Sequence, residues 1–96
     1  MFKWLNKQGV ESSRGFVLQS MHRFYYHYIE GDKKMQVFVE PFTNKRGHYL
    51  ETISLKSFDH WLPPHADDAI DAGKREEIRK NISDALTFMD IDHRFA

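Results

Sequence analysis

Ile78-Arg79-Lys80-Asn81-Ile82-Ser83-Asp84-Ala85-Leu86-Thr87-Phe88-Met89 is the stretch on which the fold of this chain turns. Ile78, Ile82, Ala85, Leu86 and Met89 fall at offsets 0, 4, 7, 8 and 11, a single apolar stripe on a helix. Upstream, Asp71 suits the N-cap position and Ala72-Gly73-Lys74 a first turn, so the pattern predicts a helix over 72–89. Glu76 and Lys80, then Lys80 and Asp84, are spaced i,i+4 on its polar side. One such helix cannot bury its stripe alone and must lie across a sheet.

Working back from the helix, three runs have strand character: Arg23-Phe24-Tyr25-Tyr26-His27-Tyr28-Ile29, Met35-Gln36-Val37-Phe38-Val39-Glu40 and Tyr49-Leu50-Glu51-Thr52-Ile53-Ser54-Leu55. Phe16-Val17-Leu18 is a fourth, shorter candidate. Glu30-Gly31-Asp32-Lys33 and Asn44-Lys45-Arg46-Gly47 read as tight turns, and Pro41, which lacks an N–H, should limit the second run. Short turns imply antiparallel neighbours. The expected fold is α+β: an antiparallel meander of three to four strands within 16–55, a Pro-containing acidic loop over 56–71, and one C-terminal helix on one face. Either Phe24, Tyr26 and Tyr28 or Tyr25, His27 and Ile29 then face away from the helix. Residues 1–14 read as an irregular lead-in whose Phe2, Trp4 and Leu5 could cover that second face.

The chain of 96 residues fits one domain, 1–96. A chain of this size buries only roughly 60 to 68% of its unfolded surface, which leaves little room for an enclosed catalytic cavity. Apolar content of 41% is enough to pack a core, and the absence of cysteine excludes a disulfide framework, a zinc ribbon and a thiol nucleophile. No apolar run follows Met1 as in a signal peptide, and none approaches the ~20 residues of a membrane span. A soluble, cytoplasmic protein without membrane contact is expected.

Net charge is zero, yet its distribution is uneven. Residues 1–48 hold eight Lys/Arg against four Asp/Glu, a balance of +4, whereas 49–96 hold six against ten, a balance of −4. Between 57 and 73 stand Asp59, Asp67, Asp68 and Asp71 with no Lys or Arg, a patch suited to a basic partner.

Chemistry-bearing constellations are weak. His22 and His27, five residues apart, would point to opposite faces of one strand, and His60 and His65 have no second ligand pair elsewhere, so no metal is expected. Ser57, Asp59 and His60 lie too close in sequence to align as a triad, and the glycines are too scattered to cradle phosphate. No cofactor and no enzymatic activity are expected. Arg23-Phe24-Tyr25-Tyr26-His27-Tyr28 could instead stack single-stranded nucleic acid or RNA, which is the alternative function.

Phe58-Asp59-His60-Trp61-Leu62-Pro63-Pro64-His65 is a rigid segment: the prolines enforce extended backbone, and Trp61 should root it in the core. With the acidic spacer, Ile70-Asp71 and the helix carrying Ile78, Ile82, Leu86 and Phe88, residues 48–91 resemble a family of small bacterial immunity proteins. Arg14-Gly15-Phe16 is similar to that family's start. Such proteins accompany polymorphic or contact-dependent growth-inhibition toxins. The resemblance implies a one-to-one complex with a secreted toxin, a nuclease in many systems, whose active site or substrate approach is blocked. No obligate homo-oligomer is implied. The rigid acidic loop and the outward strand residues give the candidate toxin-binding set: Tyr25, His27, Asp59, His60, Asp67 and Asp68.

Overall fold

A computed structural model describes residues 1–96 as a seven-stranded sheet with one long helix on one face. The strands are β1 (Phe2–Asn6), β2 (Gly9–Ser12), β3 (Phe16–His22), β4 (Tyr25–Glu30), β5 (Lys33–Thr43), β6 (Tyr49–Ile53) and β7 (His93–Phe95). Their order in the sheet is their order in the chain. All neighbours are antiparallel except β6 and β7, which run parallel. That exception is possible because α1 (Ala72–Phe88) and the segment before it form a crossover between them.

The α+β class agrees with expectation, but three to four strands understate the sheet. The supposed irregular lead-in is the β1–β2 hairpin, and β7 follows the helix. Neither is visible locally. Val10 is fully buried only because it pairs with Leu18 of β3, and β7 is three residues placed by the returning helix. β1 does not fold over the sheet's second face. It extends the edge, and Phe2 and Trp4 approach Phe88 of the helix, with ring centroids at 5.4 and 5.7 Å.

The register gathers Val10, Phe16, Leu18, Tyr26, Tyr28, Met35, Val37, Val39 and Ile53 on the helix-facing side. Against them α1 buries Ile78, Ile82, Ala85 and Leu86, as the stripe predicts. Each such large aliphatic side chain contributes about 1.5–3 kcal/mol of burial. Asp71 caps the helix by accepting from the Lys74 amide at 2.7 Å. At the far end the Asp90 and Ile91 amides donate to the carbonyls of Thr87 and Leu86, a Schellman closure that puts Asp90 at φ 61°. The expected i,i+4 pairs through Lys80 do not form. Glu76 pairs instead with Arg79, one residue closer at i,i+3, and Asp84 reaches Arg14 of the β2–β3 turn at 2.9 Å.

Strand β5 is shared between neighbours. Its first half pairs with β4 and its second half with β6. Beside the first half, beyond the end of β6, the Leu62 amide donates to the Lys34 carbonyl at 2.7 Å, and Trp61 packs into the core against Tyr28. The strand continues through Pro41, contrary to expectation. The Val39 amide points to the Phe24 carbonyl, so alternation turns the Pro41 nitrogen the same way, past the start of β4 at Tyr25, where the ladder makes no demand on it.

Candidate functional site

The two ends of the sheet differ. The β2–β3 and β4–β5 turns and the start of α1 form one end, here the helix end. There Asn81 donates to the Tyr28 hydroxyl at 2.9 Å, Tyr28 donates to Glu30, and Lys74 bridges Glu30 and Glu77 at 2.7 and 2.6 Å. Burial and the Glu30 bond push the Tyr28 phenol far above its ordinary pKa. Burial works against the Lys74 ammonium, but the two glutamates hold its pKa above the usual value.

The β1–β2, β3–β4 and β5–β6 turns form the other, open end, where the Ser20 amide donates to Gln8 across the first two turns at 2.9 Å. On the face away from the helix, strand alternation presents Tyr25, His27 and Ile29, which resolves the choice between the two sets. Tyr25 lies among His22, His27 and Phe38, with ring centroids at 5.6, 5.8 and 6.4 Å. Phe38 is 50% exposed, and Phe24, 47% exposed, lies with its ring 5.5 Å from that of His22. Partial burial and Lys34 hold the His27 imidazole below its ordinary pKa, so it is neutral near pH 7.

The acidic loop lies toward the helix end. Asp68 pairs with Lys33 at 3.1 Å and with His65 at 3.3 Å, and Asp59 lies 3.7 Å from Arg75. Lys33 and, to a smaller degree, His65 hold the Asp68 carboxyl below its ordinary pKa. Asp67 and His60 are exposed. Lys33 and Phe38 are five residues apart on β5, roughly 17 Å. The six candidate residues therefore form two groups: Tyr25 with His27 on the open face, and Asp59, His60, Asp67 and Asp68 along the loop.

A third feature was not anticipated from sequence. On the helix-facing side of the open end, beyond the reach of α1, lies a cleft of about 430 Å³. Trp4, Arg23, Pro41, Met89 and Ile91 line it. On its floor Tyr26 donates to one oxygen of Glu51 at 2.7 Å and Tyr49 to the other at 2.5 Å. Glu51 is only 6% exposed. Burial and the Glu51 bond push the Tyr49 phenol up to about 12, and the more buried Tyr26 phenol higher still. The available signal was alternation: Glu51 shares a strand face with Ile53, an inward position that rarely carries a charge.

Residues 20–96 match the family model described as Immunity protein 74, and the chain belongs to that family of immunity proteins. The resemblance read over 48–91 falls inside the matched span. No curated relative and no solved structure matches the chain. No helix is long and apolar enough to cross a membrane.

Proposed function

We propose that this immunity protein protects the cell that makes it by binding a cognate toxin one to one, in the cytoplasm, and covering its active site or substrate approach. The toxin belongs to a polymorphic or contact-dependent growth-inhibition system and is a nuclease. Binding, not chemistry on the toxin, is the mechanism. The observation that carries this reading is the open sheet face, where half-exposed Phe38 packs beside Tyr25, and His22 links Tyr25 to half-exposed Phe24. Contiguous exposed aromatics are unusual on a free-standing monomer, and aromatic anchors dominate binding energy at protein interfaces.

The acidic loop then serves the rim. Asp67 and His60 are free to meet a basic toxin surface and speed encounter, while Asp59 and Asp68 are partly neutralised by Arg75 and Lys33. The test is to mix the purified protein with the toxin encoded beside it, and to follow both complex mass and toxin activity. A one-to-one complex with loss of toxin activity is expected. Absence of any complex at micromolar concentrations rejects the reading. If the protein instead binds single-stranded RNA in a salt-sensitive manner that Arg23→Ala weakens, the nucleic-acid alternative replaces it.

A further inference from the structure

We propose that the Glu51 cleft is a socket for one basic side chain, arginine or lysine, of the bound protein partner. The inference rests on the toxin-binding reading and adds the chemistry of one contact.

Each Glu51 oxygen accepts a phenol proton, from Tyr26 and from Tyr49. A phenol that donates inward presents only lone pairs outward, as does a carboxylate. The floor of the cleft therefore offers acceptors and no donors. None of the chain's ion pairs includes Glu51, so a nearly buried carboxylate lacks a cationic partner. Buried carboxylates are costly unless matched by charge, and a ligand cation supplies that match.

The walls fit the rest of such a side chain. Pro41, Met89 and Ile91 give an apolar passage for its methylene stem, and the half-exposed Trp4 indole lines the same cleft within reach of a cation–π contact. Two cations stand at the rim. The Arg23 guanidinium is stacked over the Phe24 ring at 5.1 Å, whereas Lys7 makes no ion pair near the cleft. Their repulsion holds a lone cation to weak, millimolar binding, and a basic residue flanked by carboxylates on the partner fits best. An acidic ligand would suit the rim but would abut Glu51 on the floor, where like charges repel.

N-acetyl-arginine amide, titrated into the full-length protein, tests the socket by NMR at the Trp4 indole N–H and the Glu51 amide. Saturable shifts in the millimolar range are expected, and the uncharged citrulline analogue should give none. Glu51→Gln should weaken the response about tenfold, as expected for losing one charge-assisted pair. Should that variant unfold, Tyr49→Phe, which removes one acceptor oxygen at the mouth and keeps Tyr26 on Glu51, should weaken the response about twofold or more, and an unchanged response would overturn the proposal. No shift in the wild-type protein, or shifts produced instead by N-acetyl-aspartate amide, would overturn the proposal. The two readings fail separately. A toxin complex whose affinity is unchanged by Glu51→Gln sinks the socket alone, while arginine amide binding without any toxin complex sinks the toxin-binding reading.

Discussion

Tyr28 and Tyr26 are two residues apart on one strand, face the same way and are both buried, yet they belong to opposite ends of the sheet. Tyr28 stacks on Phe16 and Trp61, and its hydroxyl takes a bond from Asn81 and gives one to Glu30, itself paired with Lys74. Tyr26 donates to a carboxylate that has no cation, under an open cleft. The residue types are alike; what differs is cover. α1 crosses the strands at the helix end, from Lys74 beside Glu30 through Asp84 beside Arg14 to Phe88 beside Phe2. One helix can seal one end of this sheet and must leave the other bare. The sealed end holds the fold, and the bare end is where a partner can be met.

The strongest way to break this division is to weaken the sealed end. Ile82, 1% exposed beneath the helix, should cost about 2–5 kcal/mol of stability when cut to Ala. Urea melts measure this, and a loss below about 0.5 kcal/mol, typical of surface sites, would show the stripe facing solvent. Toxin affinity measured well below the melting temperature should be unchanged.

The converse substitution is Tyr25→Ala with Phe38→Ala at the bare end. Toxin affinity should fall by about 2 kcal/mol or more, roughly 30-fold, as for interface anchors. The same variant should melt close to wild type, because Phe38 is half exposed. Asp67→Ala with Asp68→Ala supplies the contrast. It should slow association and lose part of the salt dependence of binding without moving the melting temperature appreciably. If the loop variant loses neutralisation and the sheet variant keeps it, the interface lies toward the helix end and the division of labour is reversed.

A smaller effect concerns pH. Tyr49 has a folded pKa of about 12 against roughly 10 when unfolded, so the fold favours the neutral phenol. Its contribution is intact below about pH 10 and is lost as the pH rises toward about 12. Stability should decline over that window, and Tyr49→Phe should flatten the decline. Absorbance of tyrosinate measures the titration directly, and normal ionisation of Tyr49 near pH 10 would mean that the Glu51 bond is not made.

The smallest expected change sits where the chain leaves the sealed end for the cleft wall. Asp90 holds φ 61° at the helix C-terminus, a conformation that glycine adopts without strain. Asp90→Gly should therefore raise stability, by up to about 1 kcal/mol, visible as a higher denaturant midpoint. A decrease would mean that the Asp90 side chain stabilises this turn beyond its backbone cost.

The amino-acid sequence by itself determined the helix, its N-cap at Asp71, the inward stripe from Ile78 to Met89 and the central strands. These depend on periodicity and capping within a few residues of chain. It also determined that Trp61 and the two prolines form a rooted, rigid segment, and it carried the family resemblance. Tertiary structure alone decided the rest. Residues 1–14 became strands because β3 offers them an edge, and β7 became one because the helix returns the chain to β6. Pro41 is tolerated because β4 begins too late to need its N–H. Asp68 and Asp59 lost their freedom to Lys33 and Arg75, residues distant in the chain. Alternation with Ile53 marks Glu51 as inward, but its cleft is not local, because Tyr26 comes from another strand and the space opens only where the helix runs out. Local signals report what a segment can form, but which edges, charges and faces remain unpaired is settled only when distant segments have taken their places.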